Sequence, residues 1–412
     1  MKSLSINYKS SKSILCDIGK KYDTDKSSQR SNVTNTRHCH PYTLFYDNLF
    51  NMKKKDRLNI AEIGILEGAS LLMWKEYFIN SSIYGFEYNN ALIDKFNTKN
   101  KNKDIILSHI DVTSQQSIVN AFSNNIKYDI IIDDSTHQFE DQIRIILNVY
   151  QYLKPGGILI IEDIFKSYNE NDYIDRLGNI LEHFQDYYFI SLDHVNRNST
   201  GWDNDKLFVL IKNGAEPIFK KNNKMTIITP SYRINNLITL KNSINFDYVD
   251  EWIIVYDGSK IKEIPNNISH NMIKQYIHED DGCSGNPQRN FALTKITNKN
   301  TFLYYLDDDN IIHPDLYKLL DIISPGYMYT FNQLNKLNSE GLNLLRLKGN
   351  NIKLDNIDTA MMLIDYNLCH DIKWIHDKYN ADGFYIMECY MKNINNHIYI
   401  DNELCYYNYL GN

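Results

Sequence analysis

Between residues 58 and 211 the chain alternates short apolar runs with stretches of helical period. The runs fall at 58–63, 82–86, 104–107, 129–132 and 158–161, and most are rich in isoleucine. Apolar runs of this length suit central parallel strands covered on both faces. Between the last two, Ile143, Ile146, Leu147, Tyr150 and Leu153 recur at helical spacing, and the spacing predicts a helix over 142–153. Lys154, Pro155, Gly156 and Gly157 end it. Strand, helix, strand in repetition predicts a doubly wound α/β sheet, with 208–211 as its last strand.

The pattern then breaks and restarts. The polar segment 215–223 contains Lys220, Lys221, Asn222 and Asn223 and reads as a linker. Apolar runs resume at 225–228, 252–256 and 301–306, with a helix predicted near 286–294. Two α/β domains follow, at 1–214 and 224–412. Residues 1–55 are polar and are expected to form an irregular cap or lid. A length of 412 residues also favours two domains over one core.

Composition narrows the function. With 43% hydrophobic and 23% charged residues the chain is globular. Its net charge of -7 disfavours a nucleic-acid partner, which needs a basic footprint. No apolar run is long enough for a membrane span, and Met1-Lys2-Ser3-Leu4 opens no signal-peptide core. The six cysteines form no CxxC pair, so Cys39 between His38 and His40 reads as a thiol rather than a zinc ligand. Scattered thiols point to a cytoplasmic protein. The four tryptophans, Trp74, Trp202, Trp252 and Trp374, are read as core residues before sugar-stacking platforms.

The chemistry sits where apolar runs end, the place open α/β sheets reserve for ligands. Gly64, Gly68 and Ser70 follow the first run, where small residues admit a ligand to the backbone. Glu87 follows the second and suits a ribose diol, and Asp111 follows the third beside an adenine. The full G-x-G-x-x-G spacing is missing, which disfavours NAD. Asp134 ends the fourth run, and Glu162 and Asp163 end the fifth. Neighbouring parallel strands are about 4.8 Å apart, so these carboxylates converge, and a hard cation such as Mg2+ would relieve their repulsion. His137, three residues beyond Asp134, is the candidate general base.

From about Tyr22 to Lys212 the chain resembles the metal-dependent, S-adenosylmethionine-dependent sugar O-methyltransferases of the macrocin and mycinamicin type. The markers are Thr24-Asp25-Lys26, His40 and Tyr42 with Phe45-Tyr46, Glu62-Ile63-Gly64, 70–78, Asp133-Asp134 with His137, and Pro155-Gly156-Gly157 through Glu162-Asp163. The resemblance implies a class I, Rossmann-like methyltransferase domain. It implies Asp134, Glu162 and Asp163 as metal ligands and His137 as base. Gly64, Gly68, Glu87 and Asp111 then fall where the methyl donor sits. The chain departs from the family at Asp23, usually glycine, and at Ser135-Thr136, usually Gly-Ser.

The second half carries Asp307-Asp308-Asp309 after an apolar run, an arrangement suited to a Mn2+ or Mg2+ ion bridging a diphosphate. Arg289, on a preceding helix, is placed to pair with phosphate or order the aspartates. From about Lys224 to Asn412 the chain resembles GT-A-fold glycosyltransferases that use nucleotide sugars. The markers are Thr229-Pro230 with Tyr232, Asp257-Gly258, Gln288-Arg289-Asn290 and the aspartate run. That likeness implies Pro230, Tyr232 and Asp257 around the nucleoside, and Asp307 and Asp308 near ribose and diphosphate. Asp309 would be the metal ligand. Asp382, before Gly383, would be the acceptor base, with Glu388 as the fallback.

The combined expectation is a bifunctional glycan-building enzyme. It would O-methylate a sugar hydroxyl with S-adenosylmethionine and transfer a sugar from a nucleotide-sugar donor to a glycan or sugar acceptor. A homo-oligomer is compatible with this reading. Two alternatives stay open. One is a glycosyltransferase whose first domain methylates a non-sugar molecule or only binds. The other is a non-catalytic carbohydrate-binding scaffold.

Overall fold

A computed structural model describes residues 3–30, 38–199, 201–280, 282–337 and 342–411. The chain separates into two compact units. One takes in the chain up to Tyr8 together with Lys12–Lys220, the other Lys9–Ser11 together with the chain from Lys221. The change of unit falls within 215–223. Its flanks are anchored, Ile218 N–H to the Gly156 carbonyl (2.9 Å) in the first unit and Asn223 to the Leu320 and Ile323 carbonyls (2.8 and 2.7 Å) in the second.

The first unit runs β1 (Ser3–Asn7), α1 (Ile14–Tyr22), α2 (Tyr42–Phe50), β2 (Asn59–Ile63), α3 (Ala69–Tyr77), β3 (Ser82–Glu87), α4 (Asn90–Lys99) and β4 (Ile105–His109). It continues with α5 (Gln115–Phe122), β5 (Tyr128–Asp133), α6 (Phe139–Val149), β6 (Leu153–Ile164), α7 (Glu170–Leu177), β7 (Phe184–Asp193) and β8 (Lys206–Lys212). Its strands lie in the order β4-β3-β2-β5-β6-β8-β7-β1. The five strands β2 to β6 pair in parallel, whereas β8 runs antiparallel to β6 and β7. This is a Rossmann-like mixed sheet, and strand order reverses between β2 and β5. Ile60, Ile63, Ile130, Ile131, Leu159 and Ile160 are fully buried, as strands covered on both faces require. At the sheet edge, β4 instead leaves Ile106 45% exposed.

Residues 1–55 depart from the expected irregular cap. Residues 1, 2 and 31–37 lie outside the described residues, but the rest hold β1, α1 and α2. Ser13 caps α1 through the Cys16 N–H (3.4 Å), Asp17 lies in its first turn, and Lys20 and Lys21 lie in its last. All nine residues of α2 are buried. The segment is mostly apolar and aromatic, and buried polar groups around it find protein partners. The Tyr77 hydroxyl, for example, donates to Asp47 (2.5 Å).

Gly64 shows how tightly the turn after β2 is built. It has φ +81°, and a Cβ there would lie 2.2 Å from the Asp134 carbonyl oxygen. Gly64→Ala is expected to cost more than the ~1–2 kcal/mol of a left-handed alanine alone, because backbone must also shift. Thermal melting of the variant measures this as a lowered Tm.

The second unit runs β9 (Met225–Ser231), α8 (Leu237–Asn242), β10 (Val249–Asp257), β11 (Ile273–His278), α9 (Asn286–Leu293), β12 (Phe302–Tyr305) and α10 (Asp315–Ile322). Then come β13 (Met328–Leu337), β14 (Leu342–Leu347), β15 (Met362–Asp365), α11 (Ala381–Lys392) and β16 (His397–Tyr407). Its order is β11-β10-β9-β12-β15-β13-β16, with β14 on β13. The strands β9 to β12 pair in parallel, and β15 runs antiparallel between β12 and β13. Lys9–Ser11 belong here. The Ser11 hydroxyl donates to the His397 carbonyl (2.8 Å), and the Lys9 ammonium lies 5.3 Å over the Tyr390 ring.

Trp74, Trp252 and Trp374 are buried, and Trp202 is 45% exposed. The described cysteines are free thiols. No helix among the described residues is long and apolar enough to cross a membrane.

Candidate active sites

In the first unit the turns after β2 and β5 lie side by side, tied by the Asp134 N–H to the Ile63 carbonyl (2.8 Å). A cavity of about 830 Å³ opens over them. Gly64, Ser70, Glu87, Asp111, Asp134 and His137 line it, together with Thr24 and Asp25. This size suits a nucleoside-sized ligand. The Glu87 carboxylate accepts from the Ile65, Leu66 and Asn89 N–H groups (3.2, 3.0 and 3.0 Å), so it also fixes the turn beneath the cavity. Hydrogen bonds from Thr113 hold the Asp111 carboxyl below its usual range. Ser70 donates to buried Glu62 (2.8 Å).

Each glycine also makes room for a neighbouring protein segment. Gly64 makes room for the Asp134 carbonyl. Gly68 lies off the cavity wall, where a Cβ would meet the Phe96 ring at 2.4 Å. Close approach here is between protein segments, not only between backbone and ligand.

One ligand atom each from Asp134, His137 and Asp163 lies within 4.8 Å of the others, and among the described residues no other such group forms. His137 Nε2 is 3.5 Å from Asp163 Oδ2. Both residues hold a left-handed backbone, each with φ 58°. Strain of this kind gathers at functional sites. The Glu162 carboxylate is not in the group. It is fully buried and accepts from the Lys26 ammonium and the Tyr46 hydroxyl. Glu162 and Asp134 thus meet on one ammonium, supplied by a lysine from outside the sheet.

Lys26, 1% exposed, also lies 2.6 Å from Asp134 and 3.2 Å from Glu62. Burial lowers its pKa, but Asp134, Glu162 and Glu62 outweigh burial and raise it well above the usual lysine value. Asp163 accepts from the Tyr42 hydroxyl. His40 lies 2.7 Å from Asp205 and 3.8 Å from Asp163. Burial pulls its imidazole down, yet these carboxylates push it up to about 9. Arg197 pairs with Asp205 as well.

Five carboxylates (Glu62, Asp134, Glu162, Asp163, Asp205) thus face three cations (Lys26, His40, Arg197). Carboxylate oxygens are the donors Mg2+ and Mn2+ accept, so the residues fit such an ion. Lys26, Glu62, His40, Tyr42 and Tyr46 have no role assignable from the sequence pattern. They appear only as family markers, and no hydrophobic period places 24–46 against the sheet.

In the second unit a cavity of about 600 Å³ is lined by Pro230, Tyr232, Asp257, Arg289, Asp307, Asp308, Asp309 and Asp382. The structure brings these predicted residues to one cavity. Asp308 accepts from the Ser231 hydroxyl (3.0 Å), the Tyr232 and Arg233 N–H groups (2.8 and 2.7 Å) and the Arg233 guanidinium (2.6 Å). It braces the turn after β9. Arg289 pairs with Asp307 (2.5 Å), and its guanidinium lies 4.6 Å over Trp374. Asp309 has the loosest partners, Arg233 at 3.4 Å and Asn310 at 3.2 Å. The aspartate run forms no three-ligand group; Asp309 is its best available carboxylate.

Asp382 lies in the first turn of α11. Burial, then the Asp358 charge, pushes its carboxyl up to about 6. Glu388 is exposed, pairs with Lys392 at 3.4 Å and is absent from the cavity wall, because six residues along a helix turn it to another face. Arg233 and Arg346, which the sequence reading passes over, also line this cavity.

Residues 61–164 match a family described as a methyltransferase domain. An 8-demethyl-8-alpha-L-rhamnosyl tetracenomycin-C 2'-O-methyltransferase of Streptomyces olivaceus is 27% identical over 137 residues, 31% of this chain and 34% of that protein. Mycinamicin VI 2''-O-methyltransferase of Micromonospora griseorubida is 26% identical over 166 residues, 36% and 38% of the two chains. The chain thus matches about a third of the length of these curated relatives. The mycinamycin-pathway methyltransferase MycE, solved with Mg and SAH, overlays with a TM-score of 0.37 at 18% identity, covering 51% of this chain and 58% of its own. The first unit carries a Rossmann-like methyltransferase domain.

Proposed function

We propose that the first unit moves a methyl group from S-adenosylmethionine to a sugar hydroxyl, with a divalent cation, and that the second transfers a sugar from a nucleotide-diphosphate donor. The observation that carries the first part is the gathering of Asp134, His137 and Asp163 within 4.8 Å, two of them on the wall of a nucleoside-sized cavity. The relatives' names, which specify O-methylation of sugar positions, support a sugar acceptor.

In this reading Glu87 and Asp111 face the donor's ribose and adenine. Asp134 and Asp163, with Glu162 beside them, hold the cation, Mg2+ by donor type. When bound, that cation lowers the pKa of an acceptor hydroxyl. His137 takes the hydroxyl proton, and Asp163 at 3.5 Å stabilises the resulting imidazolium. The freed oxygen attacks the sulfonium methyl in line, and the neutral thioether leaves.

The second part rests on the cavity shared by Tyr232, Asp257, Arg289, Asp307–Asp309 and Asp382. Arg233 and Arg289 offset the charge of a diphosphate. Asp309 would hold Mn2+ or Mg2+, which would offset charge on the diphosphate. Asp382 takes the proton from the acceptor hydroxyl, whose oxygen bonds to the sugar's anomeric carbon as that carbon's bond to the diphosphate breaks and the nucleoside diphosphate leaves.

Thermal shift with S-adenosylhomocysteine and Mg2+, then with nucleoside diphosphates and Mn2+, tests both. A ligand at 100 times its Kd stabilises the native state by about 2.7 kcal/mol, a clear rise in Tm. Mass spectrometry of simple sugar acceptors incubated with S-adenosylmethionine is expected to show methyl addition. No shift with any of these ligands would instead favour a carbohydrate-binding scaffold.

A further inference from the structure

We propose that Lys26 is the resident counter-ion of the cation site and competes with the cation for Glu162 and Asp134. The inference rests on the cation reading above and adds to it a residue whose charge sets the affinity. An ammonium has three protons to donate, and here three carboxylates face it: Asp134 Oδ2 at 2.6 Å, Glu62 Oε1 at 3.2 Å, and Glu162. At 1% exposure the lysine has almost no access to water in their place. Glu62 and Glu162 are fully buried and held from a second side, by Ser70 and Tyr46. One ammonium therefore joins Glu162, outside the group formed by Asp134, His137 and Asp163, to Asp134 within it.

A divalent ion that recruits Glu162 must displace a like charge at contact range, where repulsion is strong in a buried site. Movement of Lys26 also reaches the donor cavity. Thr24 and Asp25 line that cavity, and the Lys26 carbonyl accepts from the Tyr42 and Thr43 N–H groups (3.1 Å each) at the start of α2. Cation entry is thereby linked to the wall that meets the methyl donor.

The test is calorimetric titration of Mg2+ and Mn2+ into the metal-free full-length chain, for wild type, Lys26→Met and Lys26→Arg, with thermal melts alongside. Lys26→Met is expected to bind Mn2+ at least tenfold more tightly than wild type. Its metal-free Tm is expected to fall and to recover with the ion. Lys26→Arg is expected to keep wild-type affinity. If Lys26→Met folds only when Mn2+ is present, the proposal is supported; failure to fold even then overturns it. Equal or weaker binding by a folded Lys26→Met also overturns the competition, while ion binding by the wild type leaves the cation reading intact. No binding by any of the three removes both.

Discussion

His137→Asn is expected to cut methyl transfer by about 10²–10⁴-fold, the usual contribution of a positioned general base. Asparagine is the informative substitution. It tolerates the left-handed backbone that His137 holds at φ 58°, so the local fold survives, while its amide accepts no proton near neutral pH. Single-turnover methyl transfer with saturating S-adenosylmethionine measures the loss. Binding of S-adenosylhomocysteine is expected to stay close to wild type, because His137 contributes only one part of a cavity shared with Glu87 and Asp111. A variant that transfers methyl at near-normal rate would remove His137 from its role and leave Asp163 as the next candidate.

Asp309→Ala is expected to abolish cation-dependent sugar transfer, by about 10² or more, while methyl transfer continues. Asp309 is the least committed of the three aspartates, so its loss removes a ligand without dismantling the turn that Asp308 braces. Asp382 gives the same site a pH signature. Its carboxyl ionises at about 6, pushed up by burial and by Asp358, and only the ionised form acts as a base. The rate of sugar transfer is therefore expected to rise about tenfold per pH unit up to about 6 and level off above it. Asp382→Asn is expected to lose most of the activity and to leave only the limb that Asp309 contributes, whose carboxyl burial and Asp307 also push up to about 6. If Asp309→Ala silenced both reactions in a folded protein, independent sites would be wrong.

The strands that could be read in the sequence are those with two covered faces. Residues Ile130 to Ile132 and Ile158 to Ile161 are buried on both sides of the sheet, so they appear as unbroken apolar runs. The strands β7 and β11 were not legible. Gln185 and Asp186 interrupt β7, and β11 is only half-buried throughout, so neither has a run to mark it. The carboxylates stood out because they follow such runs. Their partners did not, since Lys26, Tyr42 and Tyr46 come from a segment whose burial depends on long-range hydrogen bonds, not on period. Glu162 shows the consequence. Strand spacing correctly brings it beside the others, but only the folded chain shows that an ammonium holds it.

Lys9–Ser11 bear on any attempt to divide this chain. Point substitutions in either cavity leave the rest of the chain in place, but a protein cut at Lys221 loses more than a neighbour. It discards the buried Ser11 hydroxyl that donates to the His397 carbonyl and the Lys9 ammonium lying over Tyr390. The second unit is therefore discontinuous in sequence. A stand-alone version would need these residues grafted back, for instance by circular permutation, before its behaviour could be compared with that of the whole chain.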